Sequence, residues 1–139
     1  MAYSRLSHGG LSLAMKIEIK HPPRSYECGF EVKRTIQDCA RLQLSENEQI
    51  TLASSSGSEY DITRKDFGYY ATPSTNGRLE RFGLRTVIAR NRLDQLFVML
   101  VESGCEDKFE TYLQEEQMNI ICWLDKSDSV KDFLRKMKL

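Results

Sequence analysis

From Ile17 to Asn91 the apolar residues recur with a period of two, and no other feature constrains the fold of this chain as much. Successive side chains of an extended strand point to opposite faces, so such alternation marks strands that are apolar on one side and wet on the other. "MKIEIK" alternates Ile17 and Ile19 with charges, and "GFEVKR" alternates Phe30 and Val32 with Glu31 and Lys33. "ARLQLSENEQITLAS" reads as a hairpin, with Leu42 and Leu44 on one arm, Ile50 and Leu52 on the other and polar "SENE" between them. "SSSGS" is a loop by composition, and "EYDITR" resumes the alternation. "GYYAT" and "GLRTVIAR" flank the turn-rich "PSTNG", where Asn76-Gly77 suits the left-handed backbone of a tight turn. Short strands joined neighbour to neighbour predict an antiparallel sheet of about six strands, a meander curved into a half-barrel or folded into a sandwich.

After Asn91 the pattern changes. "QLFVMLVES" is a continuous apolar run, as expected of a strand buried on both faces. Ser103 and Glu106 have the spacing of a capping box at a helix start, and Phe109, Tyr112 and Leu113 fall on one helical stripe. "MNIICWL" is again strand-like, with Trp123 in the core. Val130, Phe133, Leu134 and Met137, at i, i+3, i+4 and i+7, predict a closing helix. The class is therefore α+β, a sheet followed by a β-α-β-α segment. With 139 residues, 40% of them hydrophobic and 29% charged, the chain fits one domain. Residues 1–14 read as a loose N-terminal segment and residues 15–139 as the single α+β domain.

The four cysteines, Cys28, Cys39, Cys105 and Cys122, form no C-x-x-C pair, which points to buried free thiols in a reducing cytoplasm. No apolar run approaches the roughly 20 residues that span a bilayer, so no membrane role is expected. The formal net charge is zero, which argues against general nucleic-acid binding. That mean conceals a pattern. Residues 64–92 hold seven basic against two acidic residues, a local +5, and residues 94–125 hold eight acidic residues against Lys108, a local −7.

Few motifs carry chemistry. "DFG" at Asp66–Gly68 lacks the glycine-rich and catalytic loops of a kinase. "KDFGYYAT" departs from the RNA-recognition octamer at Asp66 and Thr72. His8 and His21 are the two histidines, too few for a zinc cluster, and no phosphate loop or dinucleotide fingerprint is present, so no cofactor is expected. Glu102, at the end of an apolar run, reads as a sheet-end carboxylate or as a desolvated one with a raised pKa.

What remains is "DFGYYATPSTNGRLERFGLR". In extended conformation Arg64, Asp66, Tyr70 and Thr72 share one face, while Lys65, Phe67, Tyr69 and Ala71 share the other, which reads as core. Arg78, Arg81 and Arg85 follow within eight residues, and a planar guanidinium binds phosphate or carboxylate in bidentate fashion. Arg64, Tyr70, Asn76, Arg78, Arg81 and Arg85 are the candidate ligand-binding residues. The function expected is that of a small binding or accessory protein recognising an anionic small molecule or an acidic protein segment. Two alternatives stand beside it. One is an enzyme acting on a phosphorylated or nucleotide-linked sugar, with Tyr70 as acid or base and Arg78 or Arg85 on the phosphate; the tyrosine pKa would have to fall from about 10 toward neutrality. The other is a structural homodimer in which the acidic segment of one copy meets the basic segment of another.

Overall fold

The structure, a computed structural model, describes residues 15–125 and 127–137; the segment 1–14 lies outside the described residues. Eight strands and two helices make an α+β fold, as the sequence implies, but the strands fall into three antiparallel sheets instead of one. β1 (Lys16–Cys28) and β2 (Arg34–Gln43) form a two-stranded ribbon. β3 (Gln49–Ala53), β4 (Glu59–Lys65) and β5 (Gly68–Ala71) form a meander. A 3-10 turn at Arg78–Phe82 leads to β6 (Leu84–Arg90), which lies between β7 (Leu96–Glu102) and β8 (Asn119–Trp123). α1 (Glu106–Glu116) joins β7 to β8, and α2 (Ser127–Lys136) closes the chain.

The expected hairpin over "ARLQLSENEQITLAS" does not form. β2 pairs with β1 and β3 pairs with β4, so residues 44–48 link two sheets. The Glu48 carboxylate accepts from Ser45 N–H at 2.7 Å and Met15 N–H at 3.2 Å, and the backbones of Asn47 and Glu48 bond to Arg64. The link is thus tied to β4 and to the start of β1. Asn76-Gly77 is likewise no hairpin turn, because it precedes the 3-10 turn and Gly77 has φ −137°. The left-handed residue is Gly83, at φ +76°, which ends that turn.

The core belongs to the second half of the chain. Leu79, Leu84, Val87, Ala89, Val101 and Leu113 are its buried apolar side chains. β6 is the central strand, which is why its side chains bury so completely. Phe109 meets Trp123 edge to face at 5.8 Å between centroids, and with Leu113 this docks α1 on the sheet, as its helical stripe predicts. The helix is capped differently from expectation. Its N-cap residue, Cys105, makes no side-chain cap bond, and the Glu106 carboxylate reaches back to Gly104 N–H at 2.8 Å.

β7 also departs from expectation. Its apolar run sits at a sheet edge, and Leu96, Phe97 and Val98 are exposed. None of the cysteines is buried either: Cys28 and Cys39 are exposed, Cys105 and Cys122 half-buried, all four as free thiols. Among the described residues no helix is long and apolar enough to cross a membrane.

Candidate functional site

The β4–β5 hairpin places Arg64 opposite Tyr69 and Thr63 opposite Tyr70. Asp66 and Phe67 make the turn, and the face formed by Phe67 and Tyr69 is not core. These residues are 76% and 65% exposed, and Tyr70 is exposed as well. β5 is a four-residue edge strand with a single neighbour, and the exposed Tyr69 and Tyr70 stand on its two faces.

Arg64 is not aimed outward. Its Nη1 donates to the carbonyls of Lys65 and Gly68, the latter at 2.9 Å, and its guanidinium lies 5.4 Å from the Tyr69 ring. Asp66, a conceivable partner for it, is not one. The Arg64 side chain therefore fastens the hairpin turn by donating to both carbonyls of its closing pair, Lys65 and Gly68.

Arg85 is equally committed. Its Nε and Nη2 donate to the Asp125 carboxylate at 2.7 and 3.4 Å, and its guanidinium stacks 3.9 Å from the Trp123 ring. The two side chains are 16% and 6% exposed, so this pair is part of the packing between β6 and the segment after β8. One cation of the basic segment thereby neutralises one anion of the acidic segment.

Arg78 and Arg81 are different. Both are exposed, and neither has a carboxylate partner among the described residues. They stand three apart on the 3-10 turn, a spacing that sets Cα positions one above the other, and the Arg78 guanidinium lies 5.9 Å from the Phe82 ring. The same spacing relates Leu79 and Phe82, and Leu79 is fully buried. Ser74 sets the turn: its hydroxyl accepts from Arg78 N–H at 3.1 Å and its carbonyl from Leu79 N–H at 3.1 Å. Asn76 is exposed just before it. Of the six candidates the structure thus joins Arg78 and Arg81 through one turn, with Asn76 adjacent. Arg64 and Arg85 are turned into the scaffold, and Tyr70 stands on a separate strand.

Glu102 has its pKa lowered, the reverse of a desolvated carboxylate. The hydroxyls of Ser54, Ser58 and Ser56 hold it below the usual range; Ser58 touches it directly at 2.8 Å, and Ser54 bonds to both other serines. This cluster ties the β3–β4 loop to the end of β7. No such role was legible in "SSSGS" beyond its being a loop.

A cavity of about 310 Å³ lies between the ribbon's tip and α1, with Phe30, Arg92, Phe97, Met99 and Tyr112 in its wall. None of the six candidate residues lines it. Arg92 stacks 4.1 Å from the Phe30 ring there. No group of three or more His, Cys, Asp or Glu among the described residues is placed to hold a metal. Comparison with protein-family models, with curated proteins and with solved structures finds no match.

Proposed function

We propose that this chain is a non-enzymatic binding protein that recognises an acidic segment of a partner through Arg78 and Arg81, with Asn76 beside them. The observation that carries the reading is that Arg78 and Arg81, three apart on one 3-10 turn, are both exposed and have no carboxylate partner among the described residues. Holding two like charges on one turn costs free energy, and an incoming anion relieves it. Exposed Phe67, Tyr69 and Tyr70 on the neighbouring meander add the aromatic surface in which protein interfaces are enriched. Arg64 and Arg85 contribute by shaping the scaffold.

The test is fluorescence anisotropy with a labelled octaglutamate peptide, an octalysine control and inorganic pyrophosphate as competitor. Octaglutamate is expected to bind, more weakly in high salt, and the Arg78→Glu/Arg81→Glu double variant to lose about tenfold or more in affinity. Competition by pyrophosphate at comparable concentration would point to a small anionic ligand instead. Equal binding by wild type and variant, or none by either, would remove the proposal.

A further inference from the structure

Not one residue of the stretch 15–57 is buried, although its strands carry Ile17, Ile19, Tyr26, Ile36, Ala40 and Leu42. Its main element is the β1–β2 ribbon, of 13 and 10 residues. The register makes the ribbon amphipathic. Ile17 lies opposite Leu42, Ile19 opposite Ala40, Arg24 opposite Asp38 and Tyr26 opposite Ile36, all on one face. The other face carries Lys16, Glu18, Ser25 and Glu27 against Gln43, Arg41, Gln37 and Thr35. The register breaks between Ile19 and Arg24, and at the tip of the same face Arg34 meets Glu115 and Tyr112 of α1; on either side of the break the alternation is that of a sheet with one face packed and one solvated. Among the described residues no element covers this apolar face, and Ile19 is 68% exposed and Ile17 47%.

The ribbon is anchored at its ends and unsupported between them. At the tip, Phe30 N–H donates to Glu116 at 2.6 Å, Arg34 pairs with Glu115, and Gln117 bonds Glu31 at 2.8 Å. At the base, Met15 bonds Glu48. Apart from each other, neither strand packs extensively on another element. An isolated two-stranded hairpin is marginal in water, so the face calls for a cover.

We infer that a second copy of the chain supplies it, the two ribbons packing face to face about a two-fold axis that runs along them. Such an axis sets each β1 residue over its own cross-strand partner in the second copy. Ile17 then meets Leu42, Tyr26 meets Ile36, and Ile19 enters the recess over the small Ala40. Arg24 meets the second copy's Asp38, which already accepts from Lys20 at 2.5 Å and from Arg24 of its own chain at 3.1 Å. The face is complementary to itself in size and in charge.

The exposed area agrees. The chain exposes 10621 Å², whereas a folded monomer of 16.1 kDa exposes about 7400 Å² by mass scaling. An allowance of about 160 Å² for each of the 14 residues ahead of the described range leaves an excess of roughly 1000 Å². A standard interface buries about 800 Å² from each partner.

Sedimentation equilibrium on the full chain tests this. Wild type is expected at twice the chain mass, and Ile19→Glu at the mass of one chain with its circular dichroism spectrum kept. Arg24→Glu and Asp38→Arg, each alone, set like charges across the axis and should weaken self-association by about tenfold or more. Mixing those two variants restores both opposite-charge contacts, so a heterodimer should form at close to wild-type affinity. A misfolded variant could not be restored in that way. A wild-type monomer at high concentration, or a dimer indifferent to all three substitutions, would overturn the inference.

Discussion

The ribbon and the β6–β8 unit are built from the same kind of alternating or apolar strand, yet one has no interior and the other holds nearly all of it. Val87 and Ala89 are fully buried because β6 has strands on both sides and α1 above. Ile17 and Ile19 stand on a face shared with Arg24 and Asp38, and among the described residues no element packs over it. Burial is a property of neighbours, not of pattern. Alternation says which side of a strand seeks cover, but the cover has to come from an element that the pattern of that strand does not describe.

The contrast can be broken most forcefully at Leu79. Leu79→Ala empties a site of 0% exposure and should cost about 3 kcal/mol in urea unfolding. Ile19→Ala, measured in solution dilute enough to separate the copies, should cost less than about 0.5 kcal/mol. Equal losses at the two sites would erase the distinction between them.

Next comes Asp125→Ala, which leaves Arg85 half-buried on Trp123 without its anion. A loss of about 2 kcal/mol is expected, reduced from the value for a fully buried pair because Arg85 keeps some contact with water. Arg135→Ala removes an exposed pair with Asp132 and should leave the unfolding midpoint nearly unchanged.

The smallest effect compares two carboxylates by pH. Asp38 is held below its ordinary pKa by hydrogen bonds from Lys20 and then Arg24, Glu102 by the Ser54, Ser58 and Ser56 hydroxyls. Both folded pKa values are depressed, so each group stabilises the chain above its unfolded pKa of about 4, and that contribution is lost as pH falls through the lower folded value. Added salt should flatten the Asp38 part of the acid transition, because its partners are cations, and spare the Glu102 part. Thermal melts of Asp38→Asn and Glu102→Gln across that range, at low and high salt, would show it. Both parts responding alike to salt would contradict the assignment.

Much of this fold was legible and its assembly was not. Most strands are foreshadowed by alternation or by an apolar run, and Leu113 sits where the helical stripe puts it, but "GFEVKR", which alternates like a strand, is the tip that joins β1 to β2. Strand partners were harder to read. "SENE" has the composition of a hairpin turn, but Glu48 uses its carboxylate to tie Ser45 and Met15 together, and the chain passes to another sheet. The candidate site shows the same division. Residue type marked Arg64 and Arg85 as ligand-binding candidates, but both side chains are engaged inside the fold. Their partners, Asp125 and the carbonyls of Lys65 and Gly68, are set by tertiary structure. Setting Arg78 and Arg81 on one turn needed a 3-10 turn that no spacing rule announces.

The outer margin of β7 is an edge of its sheet. Leu96, Phe97 and Val98 offer greasy side chains beside main-chain donors and acceptors that no neighbouring strand takes up. Another extended polypeptide can add there in register, without regard to whose it is. Crowded or half-made molecules will therefore tend to clump along this seam, and a lysine placed at Val98 is the simplest way to keep concentrated stocks clear.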